Sequence, residues 1–203
     1  MPVRDTVAGS IAVGALAVGL SAASLSAQEA RIPIRDPVMI RQEGTYYVFG
    51  TGRGITVWSS PDMKDWTRLA PVFDSAPAWA SEVAPRFRDG EWAPDISLHD
   101  GTYYLYYAVS AFGLNTSAIG VATNKTLNPD DPDFGWVDHG IVVQSVPGRD
   151  LWNAIDPNLA FDAAGTDYLV FHAYDATDQG HSKLIVKPIE WDAQGWPRVS
   201  LEE

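Results

Sequence analysis

IRDPVMIRQEGTYYVF (residues 34–49), APDISLHDGTYYLYY (93–107) and AIDPNLAFDAAGTDYLVF (154–171) are three versions of one pattern. Each carries an aspartate, a short apolar strand, a turn with glycine and an aromatic strand. Asp36, Asp95 and Asp156 stand 59 and 61 residues apart. A self-similar period of that size, with several strands per unit, predicts the blades of a β-propeller. A sandwich also uses short strands but gives no reason for a recurring aspartate. The innermost strand of every blade lines the central axis. An aspartate at the same end of each such strand places its carboxylate at the same mouth of the channel. Convergent carboxylates repel one another and lose hydration, so a protein that gathers them usually uses them. The plainer role, an aspartate capping a turn at a strand end, suits any one of them alone. Three in register, two of them in Asp-Pro steps, favour a site.

The rest of the chain fits an all-β protein. TYYVFGT, ITVWSS, GTYYLYYAVS, SAIGVAT, TDYLVFHAY and KLIVKPIEW read as strands, punctuated by Gly, Asp, Asn and Pro, with almost no helical periodicity. The first segment stands apart. MPVR is a short basic start, followed by the small and apolar run VAGSIAVGALAVGLSAASLSA. Residues 1–27 read as a secretory signal peptide cleaved near Ala27, which leaves a single domain over 28–203 and a secreted or periplasmic product. The competing reading is a membrane anchor. The run is rich in Gly, Ala and Ser with a short strongly apolar core, so no stable anchor is expected. The absence of cysteine means no disulfides, and a domain of this size does not need them.

The formal charge is −12. Residues 1–27 hold one basic and one acidic residue, so their removal leaves it unchanged. An acidic surface repels phosphate backbones, which argues against nucleic acid and against acidic polymers. A neutral ligand suits it, although surface acid also simply keeps an exported protein soluble. Of eight tryptophans, Trp58, Trp66, Trp136, Trp191 and Trp196 fall where a core role is the default, whereas Trp92 and Trp152 each sit just before a repeated aspartate. His99, His139, His172 and His181 show no ligand spacing, so no metal is expected on them. Two carboxylates flanking a glycosidic bond can hydrolyse it, one activating water and the other protonating the leaving oxygen. In the inverting geometry they stand roughly 6.5–9.5 Å apart. A third carboxylate nearby raises and orients the acid, and rim aromatics give a neutral sugar a face to stack on. Metal binding is the alternative use of clustered aspartates.

RDPVMIRQEGTYYVFGTG (35–52), EWAPDISLHDGTYYLYYAVSAFG (91–113), SAIGVATNKTLNPD (117–130) and LWNAIDPNLAFD (151–162) together resemble glycoside hydrolase family 43, above all its endo-1,5-α-L-arabinanases. The likeness covers about residues 32–201 and is most specific in WAPDI and NAIDPN. It implies a five-bladed β-propeller that binds arabinan or arabino-oligosaccharides, neutral plant cell-wall polysaccharides. It implies Asp36 as general base and Asp156 as the carboxylate that tunes and orients the acid, with Trp92, Asp95 and Asn153 on the substrate-binding rim. The family's general-acid glutamate, in a later motif resembling IEAP, has no counterpart here. Glu82 lies in SEVAP but precedes WAPDI, and Glu190, Glu202 and Glu203 sit in terminal contexts, so none is assigned as acid. The histidine that supports a central ion in the family is also absent, so no cofactor is expected. The tail from Thr166 resembles a last blade, not what should follow IDPNLAFD. The expectation is a propeller shortened to about three four-stranded blades by an internal deletion of about two, with its seam near 161–168, forming an open arc or one completed by self-association. Its activity is expected to be impaired. The alternatives are a non-catalytic arabinan-binding remnant and a product that does not fold.

Overall fold

A computed structural model describes residues 32–88 and 90–200, without the side chains of 172–176 and 182. The leader read at 1–27, and Glu202 and Glu203, lie outside the described residues. The first sheet holds β1 (Val38–Gln42), β2 (Thr45–Gly50), β3 (Thr56–Ser60) and β4 (Thr67–Arg68), in that order and antiparallel. A single helical turn, α1 (Ala80–Val83), leads to the second sheet: β5 (Trp92–His99), β6 (Thr102–Val109), β7 (Ser117–Asn124) and β8 (Val137–Ser145). The third has three strands, β9 (Ile155–Phe161), β10 (Asp167–Asp175) and β11 (His181–Pro188). β12 (Glu190–Trp191) and β13 (Pro197–Arg198) form a separate two-stranded hairpin. The expected three four-stranded units are thus two, plus a three-stranded sheet. Pro188 still pairs with Tyr168 and the Ile189 amide donates to the Asp167 carbonyl at 2.8 Å, after which Glu190 and Trp191 pair with Arg198 and Pro197 instead of extending the sheet.

The glycine turns follow from their sequence. Glu43 and Gly44 have φ of 46° and 93°, and Asp100 and Gly101 have 46° and 70°. Two successive left-handed residues make the type I′ turn whose twist matches the flanking strands. They set the registers Gln42↔Thr45 and His99↔Thr102. The third turn is longer. Asp162 closes it by accepting from the Ala164 and Thr166 amides through its carboxylate.

β6 explains how the sheets stack. Its sequence TYYLYYAV is apolar on both faces, and residues 103 to 109 are all buried. Tyr103, Leu105, Tyr107 and Val109 pack with Phe49, Ile55 and Val57 of the first sheet and its turns. Tyr104 and Tyr106 pack the other way, with Leu169 and Phe171 of the third. A strand buried on both faces reads as a continuous apolar run, and the alternation divides it between two cores. The second sheet is therefore the middle layer, and among the described residues no barrel is closed. Among the described residues no helix is long and apolar enough to cross a membrane.

Candidate active site

The three-fold pattern recurs in the backbone, but its register differs from the spacing of the aspartates. Asp36, Ala93 and Asp156 each precede a proline and each have a left-handed φ, of 47°, 39° and 52°. This conformation is uncommon outside glycine and crowded before proline, so it persists only where the surroundings impose it. The position equivalent to Asp36 and Asp156 is therefore Ala93, not Asp95. Asp95 lies two residues further on, beyond a register irregularity between Trp92 and Asp95. The offset is only two residues, so the spacing of 59 and 61 passed for a true period.

Asp95 is 8% exposed. Its Oδ2 accepts the Leu159 amide at 2.6 Å and the Asn158 side-chain amide at 3.3 Å. Burial pushes its carboxyl above the ordinary aspartate range, against the hydrogen bonds from Leu159, Ile96 and Asn158 that favour the charged form. Its carboxylate ties β5 to β9. Asp36 sits two residues before β1, exposed, and accepts the Thr51 hydroxyl at 2.5 Å. Asp156 is the second residue of β9, also exposed.

A cavity of about 630 Å³ opens between the second and third sheets. Trp92 and Asn153 both line it, with the 110–115 loop, Leu151, Ile155 and Gly180. Asn153 is buried at 6% exposure, while Phe112 stands out at 92%. The Phe112 ring lies 4.6 Å from that of Trp92, tilted by 35°. Neither Asp36 nor Asp156 lines the cavity, but each is next to its wall. Asp156 follows Ile155, and Asp36 is joined through Thr51 to Ala93, the neighbour of Trp92. The structure thus brings together Trp92, Asn153 and the start of β9 around one space, and places Asp95 at the junction behind it.

Sequence reasoning passed over Phe112 and Thr51. The signal for Phe112 was a large aromatic in a Gly-bearing loop outside any alternating strand. Thr51 carried no signal of its own, since its partner Ala93 comes from another sheet. No glutamate among the described residues lines the cavity. Glu82 on α1 and Glu190 are exposed, and Glu91, 1% exposed, accepts the Gly54 amide at 2.7 Å. The histidines whose side chains are described have other partners. His99 lies flat on Trp191 with centroids 4.2 Å apart, His139 stands edge-on to Trp196, and His181 pairs with Asp178. Among the described residues no three histidine, aspartate or glutamate side chains gather as a cation site.

The pattern of glycosyl hydrolases family 43 matches residues 31–195. An extracellular exo-α-(1→5)-L-arabinofuranosidase of Cellvibrio japonicus is 52% identical over 144 residues, 71% of this chain and 42% of the relative. An extracellular endo-α-(1→5)-L-arabinanase of Bacillus subtilis is 40% identical over 145 residues, 70% of this chain and 43% of the relative. The chain therefore spans less than half the length of these relatives. Among solved structures, the α-L-arabinanase of Cellvibrio cellulosa in complex with arabinohexaose superposes with a TM-score of 0.64 at 30% identity, over 83% of this chain and 96% of that one. The native Bacillus subtilis arabinanase does so with 0.65 at 33% identity, over 81% and 59%. With the family pattern running through all three sheets, and relatives of this kind on both sequence and structure, the chain belongs to glycosyl hydrolases family 43.

Proposed function

We propose that this chain binds α-1,5-linked arabinan or its oligosaccharides in the Trp92–Phe112 cavity, as a glycosidase of the arabinanase type with impaired turnover. The observation that carries the reading is the convergence of Trp92, Asn153 and an exposed Phe112 on one cavity whose wall continues into Asp156. An apolar, aromatic cleft with few polar groups suits the faces of neutral sugars, and the net charge of −12 disfavours anionic polymers. The relatives named as arabinan-cleaving enzymes support the substrate class, and their extracellular naming supports secretion.

In this reading the reaction inverts the anomeric centre. Asp36 takes a proton from water as water attacks, and Asp156 orients and tunes the group opposite it. Asp95 stands behind the rim and fixes β9, and with it Asn153 and Asp156, against β5. Leaving-group protonation has no glutamate to supply it among the described residues, and such assistance is worth about 10²–10⁴-fold. That same observation favours the second reading, a binding module derived from such an enzyme. The sheets then correspond to blades of an open arc, whose uncovered flank invites self-association.

The test is hydrolysis of a dinitrophenyl α-L-arabinobioside, whose leaving group needs no protonation, beside hydrolysis of debranched arabinan. Turnover of the aryl substrate that disappears in Asp36→Asn supports the hydrolase reading. Binding of arabinotriose with no turnover of either substrate supports the binding module. Neither binding nor turnover defeats both.

A further inference from the structure

Thr51 directly follows β2, at the junction of the first and second sheets. Its amide donates to the Arg35 carbonyl at 2.9 Å, and the next residue's amide donates to the Glu91 carbonyl at 3.1 Å. Buried Glu91 then accepts the Gly54 amide, so the segment is held on both sides. The Thr51 hydroxyl accepts the Ala93 amide at 2.8 Å and lies 2.5 Å from Asp36 Oδ2. A hydroxyl has a single proton. With an N–H directed at its oxygen, that proton is turned towards the carboxylate, which accepts it. The direction of the relay is thereby fixed, from Ala93 N–H to Thr51 Oγ1 and from Thr51 O–H to Asp36 Oδ2. Asp36 Oδ1 keeps no hydrogen-bond partner among the described residues, and this is the oxygen left to receive a proton from water.

We propose that Thr51 is the positioning residue that aims the Asp36 carboxylate, and that it ties this aim to β5 beside Trp92. The proposal rests on the reading of Asp36 as general base. Asp36 is exposed and its backbone is in a left-handed conformation. Without Thr51 its side chain would be free to rotate, and misplacement of a reacting group by about 1 Å can cost on the order of a hundredfold in rate.

The experiment compares wild type, Thr51→Val and Thr51→Ser of the whole chain on the dinitrophenyl arabinobioside. Thr51→Val is expected to lower kcat roughly tenfold or more with KM within about twofold, and Thr51→Ser to restore most of it, because only the hydroxyl is required. A valine variant with unchanged kcat, or one that changes KM alone, overturns the proposal. Crystal structures of wild type and Thr51→Val give an answer independent of turnover. The Asp36 carboxylate is expected to leave its wild-type position in the variant, and a carboxylate that stays in place overturns the proposal. A wild type without any Asp36-dependent turnover defeats the hydrolase reading, and the structural comparison then still decides what Thr51 does.

Discussion

Asp95 meets two opposed demands. Burial works against its charge, while the Leu159 amide and the Asn158 side chain work for it. Because its folded-state value is raised, the native chain holds this proton to a higher pH than the unfolded chain. The stability from this group is therefore fully present below the ordinary aspartate range, about 3.9, and declines as pH rises through the raised value. Asp95→Asn, which keeps an acceptor for Leu159, should lose that decline and stay within about 1 kcal/mol of wild type at neutral pH. Asp95→Ala leaves the Leu159 amide without its partner and should cost about 1–3 kcal/mol. Urea denaturation from pH 4 to 7 checks both. Trp92 belongs to a different class of contact. Half-buried and tilted against Phe112, it offers a ring face at the cavity. Trp92→Ala should weaken arabinotriose binding roughly five- to tenfold in calorimetry while leaving the thermal midpoint nearly unchanged.

Hairpins were the most legible part of the fold. EGTYY and DGTYY state their own turn, because Gly and its acidic neighbour tolerate the left-handed pair that a type I′ turn requires. The strands beside them alternate aromatic residues that need a core on each side. What the sequence hid was the register of the middle repeat. Ala93 carries the shared left-handed conformation, and the irregularity after Trp92 shifts Asp95 off that position. A local count of residues contains neither fact, since both depend on how β5 pairs with β6. The β12–β13 hairpin was equally hidden, because its anchors come from elsewhere. Trp191 lies flat on His99 and donates to Asp167 at 2.5 Å, and Tyr104 donates to the Gly195 carbonyl at 2.8 Å. Trp191→Ala should free this hairpin and cost about 2–4 kcal/mol. Hydrogen exchange should show faster amides over 190–198 with little change in β1–β3.

The three sheets form two cores in series, with β6 shared between them. The third sheet leaves an apolar flank: Leu184 is 72% exposed and Val186 49%, on one face of β11. Soluble monomers rarely leave such a face bare. The chain should therefore self-associate with rising concentration in light scattering, and Leu184→Lys with Val186→Lys should return it to a monomer. The missing acid motif was legible in the residues, and Trp92 and Asn153 do share a cavity, whereas the places of Phe112 and Thr51 beside them were not legible. A general acid is a matter of where a carboxyl sits, and no glutamate among the described residues sits at this cavity.

In the proposed reading Asp36 activates water while the leaving group lacks a proton donor. The most direct measurement is the ratio of turnover on a dinitrophenyl α-L-arabinobioside to turnover on debranched arabinan, in wild type and Asp36→Asn. Asp36-dependent release of dinitrophenol is expected, with arabinan cleavage weaker by about 10²–10⁴-fold or undetectable. Robust arabinan cleavage that disappears in Asp36→Asn would contradict it and would mean that another carboxyl, Glu82 or one from a second copy, protonates the leaving oxygen.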